Sequence, residues 1–154
     1  MLLVRRQLEA LTVQLQESRL AVAQEAQRQT TALLDAERRH IETNTLRACE
    51  RYFSDSVIHS ATHRIWNAAE KGTTYVNNPN ISVHDCITVF NYLNGIAVGA
   101  KEGIFSGRIV RDHIPNTIIE AVDNIMPAVL SNMDGYEATI DLRKSWKDGV
   151  SYQR

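Results

Sequence analysis

The first glycine of this chain is Gly72 and the first proline is Pro79. A run of seventy-one residues without either breaker, rich in Leu, Ala, Gln, Glu and Arg, can fold as little other than helix. Within it Val4, Leu8, Leu11, Leu15, Ser18 and Val22 alternate spacings of four and three, which is a coiled-coil seam. The seam weakens where its next positions are Glu25 and Gln29, and recovers around Ala32, Leu33 and Ala36. Its flanks carry mixed charge, as a solvated helix does. One helix from about residue 3 to residue 52 would be ~75 Å long at 1.5 Å per residue. A globule made of the remaining hundred or so residues has a radius of gyration of only ~13 Å and cannot cover it. The seam therefore predicts a second copy or a partner helix, with parallel pairing into a dimer or trimer as the simplest arrangement.

Beyond residue 53 the breakers divide the chain into short helices. Ser54 is placed to cap a helix carrying Val57, Ile58, Ala61, Ile65, Trp66 and Ala69, which Gly72 ends. Thr73 to Ile81 reads as a loop, with Thr73–Val76 the one weak strand candidate. Ser82-Val83-His84-Asp85 has the form of a capping box. The helix after it buries Cys86, Phe90, Leu93, Ala97 and Ala100, and Gly103 is its natural stop. Ser106 opens another, with Ile109, Val110, Ile114, Ile118, Ala121, Val122 and Ile125 at core spacing. Pro115 either kinks or restarts that helix, and Pro127 closes it. After a turn over Ser131–Gly135, Tyr136, Ile140, Arg143 and Trp146 mark a last short helix. The expected organisation is an oligomerising helix over 1–53, a helical bundle over 54–149 and a tail over 150–154, an all-α fold.

Charge narrows the function classes. Seventeen basic and eighteen acidic residues give a net charge of −1, without the basic excess that phosphate-binding proteins carry. No nucleic-acid partner is expected on that ground, and no cofactor motif is present. Cys49 and Cys86 stand alone in helical patterns, which reads as two partly buried thiols in a reducing compartment. The opening Met-Leu-Leu-Val-Arg-Arg is too short an apolar run for a signal peptide or a span, so a cytoplasmic chain without membrane insertion is expected.

Gly95, Gly99, Gly103 and Gly107 form a ladder at intervals of four. Gly103 and Gly107 are accounted for by a helix end and a loop. Gly95 and Gly99 lie inside a helix, where each costs about 1 kcal/mol relative to Ala. Their smooth face, continued by Asn91 and Ile87, predicts close approach of another helix, or less simply a ligand groove. The segment Phe90-Asn91-Tyr92-Leu93-Asn94-Gly95-Ile96-Ala97-Val98-Gly99-Ala100-Lys101-Glu102-Gly103-Ile104-Phe105 resembles a family of uncharacterised bacterial helical domains. That family shows an Asn-aromatic helix ending Ile-Ala-x-Gly-x-Lys-x-Gly-Ile behind a coiled, often membrane-anchored stretch. The likeness covers roughly residues 36–146. It departs at Asn94-Gly95, where an acidic residue is usual, and in showing no anchor. It implies a bacterial or phage source and a helical architecture, and carries no activity across.

Two constellations could bear chemistry. His59 and His63 have the i, i+4 spacing that offers two imidazoles to one metal ion, but Ser60, Ala61 and Thr62 between them supply no glutamate. Cys49 or Asp55 would have to complete the site, and ordinary boundary histidines are the commoner explanation. Arg108-Ile109-Val110-Arg111-Asp112-His113 fits an Arg-x4-His pattern and resembles the dimeric helical ribonucleases grouped as HEPN proteins. In those, His acts in acid–base catalysis while Arg steadies charge on phosphorus. With five histidines in the chain and three permitted spacings, about one such match arises by chance. Ile109 also replaces the usual polar residue. The sequence therefore favours a non-catalytic assembly protein, with a ribonuclease using Arg108 and His113 as the rival. A ligand-sensing or membrane-proximal regulatory module is a third reading.

Overall fold

The computed structural model describes residues 2–70 and 80–147, with side chains over 5–68 and 80–147. All of its regular structure among these residues is helical. The helices are α1 (Leu2–Ser54), α2 (Ser56–Glu70), α3 (Val83–Lys101), α4 (Gly107–His113) and α5 (Pro115–Glu120), then a π-helical turn (Ala121–Ile125), α6 (Met126–Val129) and α7 (Glu137–Lys147). The strand candidate Thr73–Val76 lies outside the described residues, as do Gly72, the Asn77-Asn78-Pro79 turn and the tail.

By elements the chain breaks between Ser54 and Ser56, whereas by contacts it divides into Met1–His40 and Ile41–Arg154. In the first unit every described side chain from Arg5 to His40 is exposed. The second unit takes in the last turns of α1 because Thr45, Cys49 and Tyr52 are already core residues, spaced four and three apart on one face. Thr45 is fully buried and its Oγ1 accepts the backbone N–H of Ser106 at 2.8 Å while donating to the Ile41 carbonyl at 2.7 Å.

α3 is the central element of this unit and packs against both α2 and α7. Cys86, Val89, Phe90, Leu93, Ile96, Ala97 and Ala100 put most of its circumference into the core. Ser82 caps it, accepting from Asp85 N at 3.3 Å, and Gly103 at φ +74° ends it. The end is a Schellman turn: Ile104 N donates to Gly99 O at 2.8 Å and Gly103 N to Ala100 O at 3.3 Å. Ser106 then caps α4 through Ile109 N at 3.4 Å.

Four local expectations are corrected. Ser54 remains in α1, and the cap of α2 is Asp55, whose Oδ1 accepts from Val57 N at 3.0 Å and Ile58 N at 3.3 Å. A carboxylate one residue later does the same work with more charge at the helix N-terminus. Val57, expected on the buried face of α2, is exposed. Asp85 does not reach back to complete the capping box, because Arg64 engages both of its oxygens. Pro127 does not close its helix: the backbone first opens into the π turn, where Met126 N donates five residues back to Ala121 O, and α6 then continues to Val129. A proline ring collides with the carbonyl four residues before it in a regular α-helix, and the wider turn relieves that contact. Pro115 restarts the chain as the first turn of α5 after Ile114 leaves helical geometry at φ −130°, ψ 39°.

Candidate functional site

The histidine pair lies on the exposed side of α2. The rings of His59 and His63 are 6.4 Å apart between centroids, and Asn67 Nδ2 stands 2.8 Å from His63 Nδ1. Neither proposed third ligand joins them: Asp55 caps α2 and Cys49 is buried among core side chains. Among the described residues no group of three His, Cys, Asp or Glu side chains gathers to hold a metal.

Arg108 and His113 sit at opposite ends of α4, five residues and so about 140° apart around the helix. One chain does not bring them to one point. The Arg108 guanidinium faces two carboxylates, Glu42 at 3.6 Å and Asp112 at 4.0 Å. His113 Nδ1 donates to the Ile109 carbonyl at 2.9 Å, which turns the ring along its own helix. Asp112, suggested as its orienting partner, pairs with Arg108 and Arg111 instead.

The glycine ladder separates into unlike halves. Gly99 is buried, but its neighbour is the Phe105 ring from the α3–α4 turn rather than another helix: a Cβ there would fall 2.3 Å from Phe105 Cδ2. Gly95 is exposed and a Cβ there would meet nothing within 4 Å, so no helix packs on it. Among the described residues, the smooth strip expected over Gly95 and Gly99 is not a helix–helix contact within the chain.

Sequence reading missed the polar ties that hold the bundle. Arg64 forks onto Asp85 at 2.6 and 2.7 Å, and that pairing holds the Asp85 carboxyl below its ordinary pKa despite burial. Arg143 and Lys147 do the same for Asp123 at 2.6 and 3.7 Å. Asn94 accepts from Thr139 Oγ1 at 3.1 Å and donates to the Gly135 carbonyl at 2.8 Å, while the Tyr136 hydroxyl reaches Asn91 at 3.2 Å. The signal was faint, for asparagines on a helix mark surfaces more often than contacts. Burial raises both thiols, Cys49 and Cys86, to about 11.

Among the described residues, the apolar stripe of α1 is left without a partner. Leu8, Leu11, Leu15 and Val22 are exposed along one face, and Val4 precedes them with its side chain outside those described. The hollow among Gln24, Arg28, Thr31 and Asp35 is a dip between side chains of one helix, not a cleft. Among the described residues no helix is long and apolar enough to cross a membrane. No family model, curated protein or solved structure matches the chain.

Proposed function

We propose that this chain is a non-catalytic assembly protein, whose residues 1–35 pair with further copies and whose helical bundle binds another macromolecule. One observation carries the reading. Leu8, Leu11, Leu15 and Val22 are 61, 62, 57 and 68% exposed, on one face of a helix that is solvated on every side from Arg5 to His40. Burial of such a side chain is worth about 1.5–3 kcal/mol, and an isolated helix is marginal in water unless its apolar stripe is covered. Parallel pairing into a dimer or trimer satisfies the stripe. The resemblance of residues 36–146 to uncharacterised bacterial helical domains fits the same reading, and a reducing, cytoplasmic compartment suits two free buried thiols.

Light scattering on the full chain beside a Leu11→Glu/Leu15→Glu variant tests it. The expected result is an oligomer that the double variant dissolves to monomer, with the helix content of the bundle intact and that of residues 1–35 reduced. A wild-type chain that stays monomeric at high micromolar concentration refutes it. RNA incubated with the purified protein is expected to stay intact; cleavage lost in His113→Ala but kept in His84→Ala would establish the ribonuclease instead.

A further inference from the structure

The heptad reading of α1 halts after Val22, because its next positions are Glu25 and Gln29. On a helix turning about 100° per residue, Val4, Leu8, Leu11, Leu15, Val22, Ala26 and Leu33 nevertheless share an arc of about 60°. Gln29 falls within the same arc; widening it to about 80° adds Ser18 and Ala36, and admits no Asp, Glu, Lys or Arg between residues 4 and 36. Glu25 falls about 60° from the centre of the wider arc and about 20° beyond its edge. From Leu11 the spacing is four, three, four and then four, three, four again: Leu11-Leu15-Ser18-Val22, followed by Val22-Ala26-Gln29-Leu33. That is an eleven-residue repeat, which follows a straight or slightly right-handed path where heptads coil to the left. The structure leaves this longer stripe bare to its end, with Val22 at 68% and Leu33 at 71% exposure.

We propose that a second copy of the chain is held by this eleven-residue repeat, which takes over from the heptads and carries the contact to Leu33. The inference rests on the self-association proposed above and specifies its seam. Two arguments favour a second copy as the occupant. In a parallel pair, identical residues face each other, and the two polar members of the stripe, Ser18 and Gln29, can each donate to and accept from their own kind. A continued heptad would instead set Glu25 against Glu25 of the other copy, like charge on like. The second argument is area. Five large apolar side chains from each of two chains bury about 600–1,200 Å²; adding Leu33 and the small Ala26 raises this to about 800–1,500 Å², and a specific interface needs about 1,000 Å².

Sedimentation equilibrium on the full chain separates the registers. Leu33 and Leu34 are neighbours with similar exposure, 71 and 61%, yet only Leu33 lies on the stripe. Leu33→Glu is expected to weaken association at least ~10-fold while Leu34→Glu leaves it within ~2-fold of wild type. Conversely, Ala26→Leu is expected to tighten association ~10-fold and Glu25→Leu to tighten it less. All four positions are exposed and outside the unit that begins at Ile41, so the thermal unfolding of the bundle should be unchanged. If the wild type associates but Leu33→Glu and Leu34→Glu behave alike, the repeat is wrong and self-association stands. If Glu25→Leu tightens the complex more than Ala26→Leu, the heptad register is restored. A monomeric wild type removes both proposals and gives the stripe to a different partner.

Discussion

Alanine at Gly99 and alanine at Gly95 should shift stability in opposite directions, although the two positions are one helical turn apart. At Gly95 the added methyl meets open space, so the change should gain the usual helix-interior benefit of about 0.5–1 kcal/mol. At Gly99 the methyl would lie 2.3, 2.7 and 3.1 Å from Cδ2, Cε2 and Cγ of Phe105, well inside the 3.5–4.0 Å at which carbon atoms attract. The Phe105 backbone cannot retreat, because its N–H is bonded to the Gly99 carbonyl at 2.9 Å, so the half-buried ring would have to turn out of its present seat. Overpacking of this kind costs about 1–3 kcal/mol, and the same helix benefit offsets part of it. The net loss at Gly99 should be about 1 kcal/mol, and the two variants should differ by about 2 kcal/mol. Urea unfolding followed by circular dichroism resolves such a difference, provided the midpoint rather than the slope moves. Adding Phe105→Ala to Gly99→Ala should remove the clash and reveal a favourable coupling between the sites. A Gly99→Ala protein as stable as Gly95→Ala would refute the seating of the ring against the helix.

Asp85→Asn should lower the melting temperature at neutral pH. Arg64 depresses the Asp85 pKa in the folded state, so this stabilisation is present above the unfolded value and fades as pH falls through the folded one. Thermal scans of both proteins should therefore converge in acid, and a difference that persists there would mean the pairing is not its origin. Thr45→Val keeps shape but strands the Ser106 N–H, and should cost about 1–3 kcal/mol in chemical denaturation, while Thr45→Ser costs less. Cys49 and Cys86, raised to about 11 by burial, should resist a thiol reagent at pH 8 until urea unfolds the bundle. Rapid labelling of the native protein would show that one of them is open to solvent.

The helices were legible because their punctuation is chemically unambiguous. Ser82, Gly103, Ser106 and Pro115 mark ends where the structure has them: the serines by their hydroxyls, Gly103 by its freedom to take positive φ, Pro115 by its ring. What sequence could not show was which partner a residue would choose. Asp85 stands three residues after a serine cap, but Arg64 offers two hydrogen bonds and a full charge where the cap offers one N–H. Gly99 announced a close approach correctly, while the nearest bulky group came from the following turn, only six residues on. Gly95 shows the same pattern with no close contact, since spacing alone does not tell a packed face from a wet one. The stripe of α1 is the reverse case. The alternation of four and three marked its apolar face, and that face is exposed because the unit Met1–His40 holds no other element to cover it.

The π turn at Ala121–Ile125 has a consequence for how this chain can vary. A π turn is an α-helix that holds one residue more than its regular hydrogen bonds require. Ile125, its last residue, and Met126 beyond it both lie in the core. The turn makes room for Pro127, so the surplus residue and the proline form an epistatic pair. A lineage that first replaced Pro127 with alanine could afterwards shed a residue from the turn and recover an ordinary helix. One that shed the residue first would drive the pyrrolidine ring into a carbonyl, so of the two routes only the former stays open.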